Sequence, residues 1–146
     1  MFRPFFKDDS KILFLILAEY KKIIGNFGIT NITRDSAELD NLIRGEKGGD
    51  PKLIFYSELA LINWIYNVLD IENIILHVMS SNIKTIVFHE SVGFVGCNKI
   101  NLMIKKHDNE IIYTKDLTRD PLEDEKYLLQ MSINKKDFLK KYSWLT

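Results

Sequence analysis

The sequence predicts a mixed α/β sheet with helices on both faces, and three observations carry that prediction. Ile74-Ile75-Leu76-His77-Val78-Met79 is apolar without alternation, as a strand covered on both faces must be. Upstream of it, the glycine-rich stretch Arg44-Gly45-Glu46-Lys47-Gly48-Gly49-Asp50-Pro51 opens an amphipathic helix. Strand, glycine loop, helix and strand make a βαβ unit, whose crossover is expected to be right-handed. After Phe94 the β-forming pattern returns and closes on a short helix.

Residues 11–18 (KILFLILA) form an apolar run that periodicity alone leaves open between helix and strand. Gly25 and Gly28 make a long helix unfavourable, and Ile29-Thr30-Asn31-Ile32-Thr33 is rich in β-branched residues. Two strands follow, over 11–18 and 22–33, joined through Glu19-Tyr20-Lys21. Arg34-Asp35 turns the chain. Residues 36–44 read either as a third strand or as a helix capped by Asp35 with Glu38 completing a capping box. Asp50 as N-cap and Pro51 at the first helical position then start a helix running to Leu69. Asn63, Asn67 and Asp70 form its polar stripe; Leu61, Ile62, Ile65, Val68 and Leu69 form its buried side.

Beyond the central strand, Asn82 caps a short helix whose inward residues are expected to be Ile83, Ile86 and Val87, with Ser91 and Gly93 at its exit. Residues 98–106 and 110–115 pair through a turn at His107-Asp108-Asn109, residues 117–125 form a loop, and residues 126–133 make the last strand. Asn134 caps a closing helix through Tyr142. Repeats and low-complexity stretches are absent.

At 146 residues the chain is expected to be a single domain, 1–146, large enough to hold its own core. Its 20 Lys and Arg balance 20 Asp and Glu, so no basic excess points to nucleic acid. One cysteine, Cys97, permits no internal disulfide and suits a reducing compartment. No apolar run approaches the roughly 20 residues of a membrane span, and the start, Met1-Phe2-Arg3-Pro4-Phe5-Phe6, is too short for a signal peptide. The expectation is a soluble, cytoplasmic protein without membrane or nucleic-acid partners.

Asn82, Thr85 three residues on, Phe88 six on and Gly93-Phe94 eleven and twelve on resemble the N-x-x-A-x-x-L-Y-E-K-x-G-F segment of the GNAT superfamily, the acyl-CoA-dependent N-acetyltransferases. RGEKG, the helix ending WIYNVL, the strand from Asn73 to Val78 and the terminal MSINKKDF look most like one subgroup. That subgroup acetylates amines of nucleotide-linked amino-deoxy sugars, and its relatives modify protein N-termini. The likeness spans residues 11–143 and favours strand over helix for 36–44. It implies a mixed, largely antiparallel GNAT-like sheet with a βαβ core, in the order β-β-β-α-β-α-β-β-β-α. Three departures stand out. The family's N-terminal strand and two helices are expected to be missing, Arg44 stands one residue too far from Gly48 for Q/R-x-x-G-x-G/A, and His89 occupies the place of the usual tyrosine.

In such an enzyme acetyl-CoA is the co-substrate, no metal takes part, and a small-molecule amine attacks the thioester. The loop and the helix N-terminus would bind the pyrophosphate through backbone N–H groups, which assigns Arg44, Gly45, Glu46, Lys47, Gly48, Gly49, Asp50 and Lys52 to the cofactor. Leu42 and Ile43 would direct backbone N–H groups at the thioester carbonyl, with pantetheine between the 36–44 and 74–79 strands. Asn82, Thr85 and Phe88 complete the cofactor set, although Asn82 serves equally as a plain helix cap. His89 is the candidate acid for the departing thiolate, set against a partly exposed helix histidine. Glu38 or Asp40, alternating onto one strand face, is the candidate base, set against ordinary solvated carboxylates. His77 reads as a core histidine, and Trp64 and Trp144 as packing residues. His77, His89, His107 and Cys97 lack metal-ligand spacing. Two other functions compete: a truncated GNAT fold that binds CoA or a protein partner without turnover, and an interaction protein without CoA. An apolar edge at 11–18 would favour a homodimer.

Overall fold

The computed structural model describes residues 11–45 and 49–145. They form seven strands and three helices in the predicted order, with two additional single-turn 3-10 segments. The chain divides into two compact units, one running up to Ile75 and resuming from Ile133, the other taking in Leu76–Ser132.

In the first unit, β1 (Ile12–Leu17), β2 (Ile23–Thr30), β3 (Ser36–Arg44) and the start of β4 (Asn73–Met79) are ordered β1-β2-β3-β4. β1 and β2 are antiparallel from Ile12↔Ile29 to Leu17↔Ile23, turned by the 3-10 segment Glu19–Lys21. Residues 36–44 are a strand and not a capped helix: Thr30 pairs with Glu38 and Ile29 with Leu39, while Ala37 and Leu39 are buried on alternate positions. Tertiary pairing decides between two local preferences that the sequence leaves balanced. Thr33 ties the turn before it, its hydroxyl meeting the backbone N–H groups of Asp35 and Ser36.

α1 (Leu53–Val68) buries Glu58, Leu59, Leu61, Ile62, Ile65 and Tyr66 on one side. It starts two residues later than predicted. Asp50 does turn the chain, Oδ1 accepting from Lys52 N at 2.7 Å, but Pro51 and Lys52 remain in that turn and Lys52 takes the cap position. Val68, assigned to the inner face, is exposed at the helix end. Asn67 Nδ2 donates to the Asn63 carbonyl and side-chain oxygens, as expected of the polar stripe. The Tyr66 hydroxyl donates to Ile133 O at 2.9 Å and its ring packs on Phe138. Burial, then the nearby Glu72 and Asp137 charges, raise the Tyr66 phenol well above its ordinary pKa. α3 (Lys135–Lys141) is capped as predicted, Asn134 Oδ1 accepting from Asp137 N at 2.8 Å. Trp64 packs edge-on against Phe14, whereas Trp144 is largely exposed.

In the second unit the order is β4-β7-β5-β6, with β5 (Val95–His107), β6 (Glu110–Asp116) and β7 (Tyr127–Asn134). β5 runs antiparallel to both neighbours. β4 buries Ile74, Leu76 and Val78 and half-buries Ile75, His77 and Met79, so both faces carry cover as its unalternating sequence requires. The loop before β7 is held by Arg119, whose two terminal nitrogens reach the Glu125 carboxylate at 2.8 and 3.0 Å. These bonds hold the Glu125 carboxyl down at about 2.

α2 (Ile83–Val92) departs from the predicted phase. Ile83 and Val87 are 61% and 55% exposed, and the buried residues are His89 and Val92. Apolar side chains surround this ten-residue helix on most sides, so periodicity alone does not select the packed face. The packed face is the one through Thr85, His89 and Val92, against which Phe94 closes.

Candidate functional site

In the first unit the predicted cofactor residues follow one another through the end of β3 into α1. β2 and β3 approach closely there: a Cβ on Gly25 would run into the Ile43 carbonyl oxygen. Asn26 pairs with Ile43 and Gly28 with Asp40, so Asn41 and Leu42 together face the single residue Phe27. This bulge breaks the ladder at Leu42, the position expected to offer its backbone to a ligand. Leu42 is half-buried, Ile43 and Arg44 are exposed, and Gly45 N donates back to Ile24 O at 2.9 Å. Glu46, Lys47 and Gly48 lie outside the described residues.

Gly49 has φ +71°, a left-handed conformation that favours glycine, and Asp50 then turns the chain into α1. The cap position is Lys52, which offers no acceptor, and the first turn of α1 holds no acidic residue. A helix start of this kind presents the positive end of its dipole with a lysine beside it, the electrostatics that favour a phosphate. These residues fit the pyrophosphate of CoA.

Glu38 and Asp40 lie two apart on β3 and share a face. Glu38 Oε2 accepts from Asn31 Nδ2 at 2.7 Å, and Asp40 is exposed. The sequence reading missed two residues of this unit. Glu58 sits at the centre of the buried side of α1, and its charge, after burial, raises the pKa of Tyr142. Asn26 interrupts the otherwise apolar stretch of β2 from Ile23 to Ile29.

In the second unit, α2 brings Asn82, Thr85, Phe88 and His89 together. Asn82 Oδ1 accepts from Thr85 N at 3.3 Å, so the capping role is realised. His89 is 5% exposed, which corrects the reading of a partly exposed helix histidine. Its ring meets Phe88 at 5.2 Å and Phe94 at 5.7 Å, edge to face. Gly93, at φ 124°, ends the helix so that its own N–H and that of Phe94 both reach the His89 carbonyl, at 3.1 and 3.0 Å. His89 is thereby fixed in backbone and ring. His77 is half-buried on β4. Among the described residues no three His, Cys, Asp or Glu side chains gather as a metal-binding group, and no helix is long and apolar enough to cross a membrane.

A helix start that favours phosphate, entered from a bulged strand, suits the pyrophosphate of a nucleotide-bearing co-substrate such as coenzyme A. The family model for the acetyltransferase (GNAT) domain matches residues 3–114, and the chain belongs to that family. It is an acyl-CoA-dependent N-acetyltransferase with acetyl-CoA as co-substrate and an amine as acceptor. No curated protein sequence matches it. Among solved structures it is similar to spermidine N-acetyltransferase SpeG from Vibrio cholerae in complex with CoA and spermine, at 20% identity over 91% of this chain and 70% of that one, with TM-score 0.69. It is also similar to a chimera of that enzyme with hSSAT, at 22% identity over 92% and 75% of the two chains, with TM-score 0.66. A manganese complex of the same enzyme matches at 20% identity over 93% and 72%, with TM-score 0.69. At these identities the likeness is one of fold.

Proposed function

We propose that the protein acetylates a primary amine of a small polyamine of the spermidine class. The start of α1 carries the acetyl-CoA side of this reading: a glycine at φ +71°, a turn at Asp50, Lys52 at the cap and no acid in the first turn. On that reading Arg44 to Lys52 bind the pyrophosphate, and the backbone of Leu42 and Ile43 donates to the thioester oxygen as negative charge develops there. The co-substrate supplies an activated acetyl group and a thiolate leaving group. In α2, Thr85 and Phe88 keep the cofactor contacts that the motif implies. Asn82 Oδ1 is engaged by Thr85 N, so Asn82 serves as the helix cap and adds at most a weak contact through its amide N–H groups. His89 gives a proton to the departing sulfur, and Glu38 or Asp40 takes one from the amine.

The polyamine reading rests on two supports. The structural relatives named above are spermidine acetyltransferases. Glu38 and Asp40 also set two carboxylates on one face of β3, an arrangement that attracts a cationic amine. The second reading, an amine of a nucleotide-linked amino-deoxy sugar, rests on the RGEKG, WIYNVL and MSINKKDF segments. A thiol-release assay with acetyl-CoA and a panel of spermidine, spermine and nucleotide-linked amino sugars separates the two. The highest kcat/KM is expected with a polyamine. Preference for the amino sugars would replace the first reading with the second, and no turnover with any amine would overturn both.

A further inference from the structure

Between Ile23 and Ile29, β2 carries one polar side chain, Asn26. Its Oδ1 is shielded from solvent and receives no hydrogen bond from any described residue. Buried acceptors are almost always paired, because the water they give up has to be replaced. The strand register shows what surrounds it. Asn26 opposes Ile43, Gly28 opposes Asp40 and Thr30 opposes Glu38. Opposed residues of an antiparallel pair lie on one face, as do alternate residues of a strand. The extra residue of the bulge belongs to β3, so β2 alternates regularly from Asn26 to Thr30. Asn26, Thr30, Glu38 and Asp40 therefore share a face, with Gly28 adding no side chain between them. Phe14 opposes Phe27 on the other face and packs on Trp64 of α1, so this polar row looks away from α1.

We propose that Asn26 Oδ1 accepts a hydrogen bond from the acceptor amine and holds it beside Glu38 and Asp40. The assignment rests on the amine N-acetyltransferase reading above. A carboxamide oxygen only accepts, so it orients an N–H without engaging the nitrogen lone pair that must attack the thioester. A carboxylate on the same face can then take the proton. Asn26 acts as a positioning and specificity residue in this arrangement.

The test is steady-state kinetics of the full chain with spermidine and acetyl-CoA, together with thermal melting, for wild type and Asn26→Leu. KM for spermidine should rise about ten-fold or more, KM for acetyl-CoA should stay within about two-fold, and Tm should hold or rise, because an unpaired buried acceptor has been removed. An unchanged spermidine KM overturns the proposal. So does an equal rise in both KM values, which would make the pantetheine amide the donor, or a marked drop in Tm, which would make the role structural. If Asn26→Leu does not fold, Asn26→Ser, which withdraws the oxygen, decides by the same readouts. If wild type turns over no amine, the enzyme reading fails and the role of Asn26 fails with it; if wild type is active and the variant is unaltered, only the Asn26 assignment fails.

Discussion

The starts of α1 and α2 are built in opposite ways. α2 opens on Asn82, whose side chain takes the N–H of Thr85, so the helix supplies its own cap. α1 opens on Lys52, which has no acceptor to give, after a turn that places Gly49 at positive φ. In α2 the cap side chain takes a first-turn N–H, whereas at α1 the Asp50 carboxylate takes the N–H of Lys52, ahead of a first turn that holds no acid. α2 is distinctive at its other end, where the exit at Gly93 fixes His89 between two phenylalanine rings. On the proposed function, one helix offers backbone for binding and the other a side chain for chemistry.

His89 tests the α2 half of this contrast and has the largest expected effect. His89→Ala should lower kcat by about 10² or more, the usual contribution of a general acid, with acetyl-CoA affinity nearly unchanged. His89→Tyr places the family's usual residue there and should retain or raise turnover. If His89→Ala turns over like wild type, α2 supplies packing and no acid. Asn82→Ala has the smaller effect. Loss of the cap costs about 1 kcal/mol, a fall in Tm of roughly 2–8 °C, while KM for acetyl-CoA should rise by no more than about three-fold. A ten-fold rise in that KM would show that the second helix start also binds the cofactor, and the contrast would break.

Much of the fold was legible in residues that act locally. Asn82 and Asn134 announce their helices because an asparagine side chain at the cap acts within three residues. The glycine-rich stretch before α1 is legible for the same reason, since positive φ at Gly49 is a property of one residue. Non-local decisions were less visible. Residues 36–44 become a strand because β2 pairs with them. The face of α2 is chosen by what packs on it, so Ile83 and Val87 point outward although they are more apolar than His89. Pro51 looks like a first helical residue, but the Asp50 side chain draws Lys52 into a turn and delays α1 by two positions. Asn26 and Glu58 had no signature, because a single polar residue in an apolar stretch gains meaning only from the register and packing around it.

The most direct test of the central claim is a calorimetric titration of CoA into wild type, Gly49→Val and Asn82→Ala. A β-branched side chain opposes positive φ, at a cost of roughly 1–2 kcal/mol. CoA should bind wild type, Gly49→Val should weaken it by about ten-fold, and Asn82→Ala should come close to wild type. No binding to wild type at millimolar CoA, or equal affinity for wild type and Gly49→Val, would contradict the assignment of the cofactor's pyrophosphate to the start of α1.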